Sequence, residues 1–375
     1  MRTLPPSRNL AIGALARLFR NTTTSYKYLF AKSAFTLLSE GKGESRTLTL
    51  SDICIEMATN AWYPHAQFKL SFGRQDNLPA ILDELGRSET GTNGTAVLNI
   101  AAFRENIQSN TRSLGVLRQL TRYVPLRLLT PFLHEELAGI ADQNRNQVIF
   151  NHSNSQFLSK RLPYKLNGPT VNTIDSITFH DEWANYICEN SPILIAWIDR
   201  HWIDYLQSRN PSIPAIPRKL EPPTERRSLD RPRRFWSDVL KTTQARCIYT
   251  GCNLDPDNFA LDHFIPWSFI AHDQIWNLIP VTPAANALKS DRLPHTDLYL
   301  RAHAETQSKA IEFILRGQNA RRYPSFADEY EIGLAVSLEN LNTLDQIIEA
   351  YREACIPLIS IAERHGFGAQ WRYQG

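Results

Sequence analysis

Apolar positions recur at helical spacing along much of the chain. Between Ser25 and Gly41, Phe30, Ala34, Leu37 and Leu38 share one face of a 3.6-residue repeat, which predicts a helix opening after Thr22-Thr23-Thr24 and closing at Gly41. A second helix is predicted from Ser51, with Ile53, Met57, Ala58 and Ala61 inward, stopping before Pro64 because proline lacks the N–H that a helix interior needs. Helical periodicity continues from Thr95 to Leu137, whereas Gln147 to Asn151 (QVIFN) and Thr173 to Phe179 read as short strands. Asp181 caps a helix expected to break near Ser191-Pro192, after which Leu194, Trp197, Ile198, Trp202, Tyr205 and Leu206 form an apolar face that reads as core. Pro211, Pro214, Pro217, Pro222 and Pro223 follow at a spacing that no helix or central strand tolerates, so residues 211–230 are expected to be a linker. Beyond Pro294, helices are predicted from Thr296-Asp297 to about Arg316 and again through Leu341, Leu344, Ile347, Ile348, Tyr351 and Cys355, ending before Pro357.

The stretch Arg246 to Pro294 has a different pattern. Leu261 continues an apolar strand that Asp262 and His263 end and Pro266 stops. Asn277-Leu278-Ile279-Pro280 reads as a second short strand. Thr282 then sits at a helix N-cap and Pro283 at the first helical position, with the helix running to about Asp291. Asn286 lies in its first turns, where its amide oxygen can reach back towards Asp262. A carboxylate next to an imidazole can hold Mg²⁺ through a hard oxygen while the neutral ring takes a proton from water. Those are the needs of a metal-dependent phosphodiesterase.

From Asp262 to Pro294 the chain reads D-H-x-x-P-x-S-F…N…N-x-x-K-S-D-x-x-P, and this run resembles the HNH endonucleases, most closely the HNH domain of the RNA-guided CRISPR effector nucleases. That family folds as a ββα-metal finger, a two-stranded hairpin with a helix packed across it. Taken over the whole stretch Arg246 to Pro294, the resemblance covers roughly an eighth of the chain. It implies Asp262 and Asn286 as ligands of Mg²⁺, with Mn²⁺ able to substitute, and His263 as the base that activates water. It implies Asn277 as the brace of the catalytic His, Lys289 as a phosphate contact, and DNA as the substrate, cut to a 5′-phosphate and a 3′-hydroxyl. Many such fingers also hold a structural zinc on two C-x-x-C pairs. Only Cys247 and Cys252 lie nearby, spaced C-x₄-C, so no structural zinc is expected and helical flanks are expected to replace it. The N-terminal pattern resembles bacterial HNH proteins of similar length, a likeness that implies no activity. Bacterial HNH proteins of this overall design often serve as the effector in restriction or anti-phage defence, and that is the role the resemblance implies. A homing or repair nickase is the alternative within the family. A DNA-binding module without cleavage should lack one of Asp262, His263 or Asn286, and all three are present.

Composition narrows the setting. A chain of 375 residues, 42% hydrophobic and 21% charged, suits a soluble protein of two or three domains with real cores. Five scattered cysteines argue for a reducing, cytoplasmic compartment, and no segment reads as a signal peptide or a membrane span. A net charge of +3 proves no nucleic-acid partner, but basic residues cluster between Arg218 and Arg246. Such a run is ordinarily a solvated face. Directly before the finger, its Arg231, Arg233, Arg234 and Arg246 become candidates for phosphate contact. Trp62, Tyr63, Phe68 and Phe72, interleaved with Lys69 and Arg74, favour packing over base stacking. Tyr249, Leu254, Trp267, Phe269, Trp276 and Leu278 read as the finger's small core, and His272 and His295 as solvated.

The expected architecture is α+β, mostly α. A helical domain spans 1–210, a Pro-rich basic linker 211–230, the HNH domain 231–300, and C-terminal helices 301–375 that pack on the finger or on the N-terminal domain. A lone finger reads mainly phosphate backbone, so specificity is expected from the helical domain or from a partner protein. The oligomeric state is left open.

Overall fold

A computed structural model describes residues 4–41, 45–87, 100–222, 228–316 and 318–374, and it is predominantly helical with two small sheets. The chain divides into two compact units, one of Met1–Pro211 with Lys219–Pro222 and the other of Ser212–Arg218 with Pro223–Gly375.

In the first unit, the helix Tyr26–Glu40 buries Leu29, Phe30, Ala34, Phe35 and Leu38 against the helices Leu50–Ala66 and Asp181–Arg209. Thr49 caps Leu50–Ala66 by accepting from Asp52 N. This helix does not stop before Pro64 but carries it in its last turn. Pro192 likewise sits inside an unbroken 29-residue helix, Asp181–Arg209, whose N-cap is His180 rather than Asp181. An interior proline costs about 3 kcal/mol. Full burial of one large apolar side chain returns about 1.5–3 kcal/mol, and Trp183, Ile187, Leu194, Ile198 and Trp202 are all fully buried along that helix. Tertiary burial therefore overrides the local break.

QVIFN is not a strand. It lies within the helix Asp142–Ser155, because five residues with a β-branched centre are too few for period alone to separate strand from helix. The second expected strand does form. Ser176–Phe179 is the centre of a three-stranded antiparallel sheet, flanked by Thr47–Thr49 and Tyr164–Asn167, with Leu48 and Leu166 both paired to Ile177. The predicted helicity from Thr95 lies partly outside the described residues; within them, helices Ile100–Ser109 and Thr111–Leu117 follow. Trp62, Tyr63, Phe68 and Phe72 are all buried, and Trp62 stacks on Phe103 at 4.1 Å.

In the second unit, the amphipathic helix Asp230–Thr242 turns Phe235, Trp236, Val239 and Leu240 inward. The strand Ala260–His263 pairs antiparallel with Leu278–Val281, setting Asp262 opposite Ile279 and His263 opposite Leu278. The helix Pro283–Lys289 follows, with Thr282 Oγ1 accepting from Ala285 N at the N-cap. Three longer helices, Thr296–Leu315, Pro324–Leu334 and Leu344–Arg364, complete the unit, and the last runs through Pro357 instead of ending before it. His295, not Thr296, occupies the N-cap of the first of them. Among the described residues, no helix is long and apolar enough to cross a membrane.

Candidate active site

Asp262 and His263 end the first finger strand and differ sharply in environment. Asp262 is only 3% exposed. Tyr249 Oη donates to its Oδ2 at 2.7 Å, and Lys289 Nζ donates to its Oδ1 at 3.0 Å and to the His263 carbonyl at 2.7 Å. Burial, followed by the neighbouring Asp262 charge, pushes the Tyr249 phenol well above its ordinary pKa, so it remains a neutral donor. The Tyr249 ring packs edge-on against Tyr299 and Trp371, at 4.9 and 5.0 Å. Trp371 is itself stitched to the chain after the finger helix, donating from N to the Leu293 carbonyl and accepting at O from His295 N.

His263 is half-buried, and its Nε2 lies 2.8 Å from Asp273 Oδ1. Its Nδ1 has no hydrogen-bond partner among the described residues. Asn277 is completely buried, and its amide closes on one residue: Oδ1 accepts from Ile265 N at 2.8 Å while Nδ2 donates to Ile265 O at 2.9 Å. Its own carbonyl accepts from Phe264 N at 2.9 Å. The two residues after His263 are thereby fastened to the start of the second strand.

Asn286 is half-buried on the finger helix, and its side chain makes no hydrogen bond among the described residues. It lies three residues before Lys289, on the helix face whose ammonium reaches Asp262. The donor chemistry suits a sparse divalent-cation site. Each Asp262 oxygen accepts one hydrogen bond and keeps a further acceptor site, and the Asn286 amide oxygen is a second hard, neutral donor. Among the described residues, no group of three or more His, Cys, Asp or Glu gathers at one point, so such a cation would keep much of its water.

Lys289, which the resemblance assigns to phosphate, has no exposed surface, and its ammonium is engaged by Asp262 and the His263 carbonyl. Of the four candidate arginines, Arg231 lies over the Phe326 ring, and Arg233 lies over Phe259 while donating to its carbonyl. Arg234 and Arg246 are exposed, with no side-chain partner among the described residues. Tyr249, Phe269, Trp276 and Leu278 are buried in the finger core, with Leu254 and Trp267 half-buried. His295 is not solvated. It is buried and lies 2.6 Å through Nε2 from Arg372.

Cys247 and Cys252 flank a tight turn in which Gly251, at φ +72°, donates to the Cys247 carbonyl. Both thiols are free, and Thr282 N donates to Cys247 Sγ at 3.5 Å.

Behind the site, the C-terminal helices grip the strand that follows Asn277. Gln307 Nε2 donates to the carbonyls of Trp276 and Leu278 at 3.1 and 3.0 Å, and Tyr330 Oη donates to Gln307 Oε1. Tyr351 Oη also donates to Trp276 O, and Trp236 Nε1 to Leu278 O. Sequence reasoning missed Tyr249 as a carboxylate partner, Asp273 as an imidazole partner and Gln307 as a brace. Asp273 sits in the polar triplet His272-Asp273-Gln274 between apolar runs, and nothing in that spacing points at His263.

A two-stranded hairpin crossed by a short helix, with Asp-His at the end of its first strand, defines a ββα finger. Residues 247–295 match the family model for HNH endonucleases, and this HNH finger is the part of the chain for which a nuclease activity is indicated. The match spans roughly an eighth of the chain and does not reach the first unit. No curated protein and no solved structure matches the chain.

Proposed function

We propose that the chain is a metal-dependent endonuclease that hydrolyses DNA phosphodiester bonds to a 5′-phosphate and a 3′-hydroxyl. The observation that carries this reading is the meeting, on one matched finger, of a buried carboxylate, an adjacent imidazole whose Nδ1 has no partner among the described residues, and an amide on the finger helix likewise unpartnered among them. Asp262 and Asn286 would hold the cation, Mg²⁺ or Mn²⁺. When bound, that cation supplies a positive charge that stabilises the scissile phosphate and the departing oxygen.

The chain's own residues supply the rest. His263 takes a proton from the attacking water. Asn277 locks the turn that carries His263, so the ring's position does not depend on the mobility of a loop. Tyr249 and Lys289 each donate to one oxygen of Asp262 and so fix the orientation of its carboxyl group within a buried setting. Arg234 and Arg246 are the exposed cations best suited to the DNA backbone, and recognition of a particular DNA falls to the first unit or to a partner protein. By resemblance the role is defensive, as the effector of a restriction or anti-phage system.

The test is conversion of supercoiled plasmid to nicked or linear form, with and without EDTA, by the wild type and His263→Ala. Cleavage that depends on both the metal and His263 is expected. Near wild-type cleavage by His263→Ala removes this residue from the mechanism.

A further inference from the structure

His263 Nε2 and Asp273 Oδ1 are 2.8 Å apart, ten residues apart in sequence, with side chains 18% and 24% exposed. The segment that returns the chain to His263 is fixed at several points. Trp267–Ile270 forms one helical turn, closed by Ala271 in the left-handed region at φ +56° with its N bonded to Trp267 O. On the other side, Ile275 N donates to Glu329 Oε2 at 2.7 Å, and Trp276 Nε1 donates to Gln274 Oε1 at 2.7 Å. Asp273 thus stands between two anchored points rather than on a free loop.

We propose that Asp273 is a positioning residue for the hydrolytic reaction, holding the His263 ring so that Nδ1 is the nitrogen presented to the attacking water. This rests on the nuclease reading above. A carboxylate only accepts hydrogen bonds, so its contact with Nε2 places the proton of the neutral imidazole there and leaves the lone pair on Nδ1. Nδ1 has no other partner among the described residues. Among the described residues Asp273 pairs with His263 and with no other side chain. In the reaction, a water proton passes to Nδ1, the new P–O bond forms from the water oxygen, and the bond from phosphorus to O3′ breaks. The leaving oxygen takes its proton from solvent. The Asp273 carboxylate faces the imidazolium that results and stabilises it without itself taking the proton.

The test uses the full chain, labelled with ¹⁵N at histidine, in wild-type, Asp273→Ala and Asp273→Asn forms. Long-range ¹H–¹⁵N spectra report the His263 tautomer, with the His263→Ala spectrum assigning the signal, while plasmid cleavage gives kcat and KM. The wild type is expected to carry the proton on Nε2. Asp273→Ala is expected to lose that preference and about 10²–10⁴-fold in kcat, with KM and melting temperature near wild type; Asp273→Asn is expected to keep the fold and also to lose kcat. A wild-type spectrum with the proton on Nδ1 overturns the proposal, as does an Asp273→Asn or Asp273→Ala protein that cuts at the wild-type rate. A wild-type protein that cuts no DNA under any metal overturns the nuclease reading instead, and is recognisable because the variants then have no rate to lose.

Discussion

Lys289 and Asp262 form an ion pair that solvent hardly reaches, with Nζ 3.0 Å from Oδ1 and side chains 0% and 4% exposed. Removing one member of a buried pair leaves the other as an uncompensated charge, at about 3–5 kcal/mol. Lys289→Met is therefore expected to destabilise the second unit by that order, seen as a lowered denaturant midpoint. A phosphate-contacting lysine behaves differently: its loss weakens DNA binding and flattens the salt dependence while leaving stability intact. Full stability with weakened, less salt-sensitive binding in Lys289→Met would show that the ammonium swings out to DNA.

Gln307 ties the second finger strand to the C-terminal helices, its Nε2 donating to the carbonyls of Trp276 and Leu278. Gln307→Leu keeps the volume but leaves the buried Tyr330 hydroxyl without its acceptor, a loss of about 1–3 kcal/mol. The Trp276 and Leu278 carbonyls keep Tyr351 and Trp236, so the strand should persist in a loosened form with reduced cleavage. Gly333→Ala should injure the same region, because a Cβ there would collide with the Trp276 indole. In the wild type, elemental analysis should find no stoichiometric zinc, and chelation should leave the melting temperature unchanged. One zinc per chain with unfolding on its removal would mean that Cys247 and Cys252 recruit further ligands.

What was legible in the sequence was local. Thr282-Pro283 marks a helix start through chemistry within four residues, and the finger's strands and helix form close to where that punctuation puts them. The same local rules fail at Pro64, Pro192 and Pro357, each carried inside a helix, because whether a lost hydrogen bond ends a helix depends on burial against elements distant in sequence. Partner choice has the same limit. Nothing near Lys289 in sequence shows that its ammonium meets Asp262, 27 residues away, rather than solvent, and Asp273 gives no sign of His263 until the turn closes. The short helix Asn319–Arg322 spans a single turn and carries no apolar stripe, whereas Pro324–Leu334 was missed although Phe326, Tyr330 and Leu334 recur at four-residue spacing and are all buried.

His303 introduces a pH dependence. Burial lowers its pKa from 6.5 to about 3, its ring stacks on Phe264 at 4.1 Å, and Nε2 lies 3.3 Å from Trp276 O. The unfolded chain binds a proton near pH 6.5 that the folded protein refuses until about pH 3. Between those values the unfolded state holds more protons, so stability rises with pH, by up to about 1.4 kcal/mol per unit, and levels off above the unfolded pKa. His303→Phe should make the loss of stability between pH 6 and pH 4 shallower than in the wild type. Equal slopes in urea titrations of the two proteins would show that His303 is not buried as a neutral ring.

Substituting the two asparagines in turn tests whether bracing and metal binding are separate roles. Asn277 is buried with its amide satisfied at both ends by Ile265, so Asn277→Ala leaves a backbone N–H and a carbonyl without partners and should cost about 2–4 kcal/mol. Asn286 makes no side-chain hydrogen bond among the described residues, so Asn286→Ala should leave the melting temperature near wild type. With one charged and one neutral oxygen, the donor set should hold Mg²⁺ weakly until the DNA phosphate joins it, and cleavage should need Mg²⁺ in the millimolar range or less Mn²⁺. Asn286→Ala removes the neutral oxygen and should raise the metal concentration giving half-maximal rate about tenfold or more. Asn277→Ala, assayed well below its lowered melting temperature, should raise that concentration less, its defect falling on kcat because the ring of His263 is no longer held. Metal titrations of cleavage rate for the three proteins decide between these roles. If Asn277→Ala raises the metal requirement more than Asn286→Ala does, the roles are reversed, and the cation is held at the clamp rather than on the finger helix.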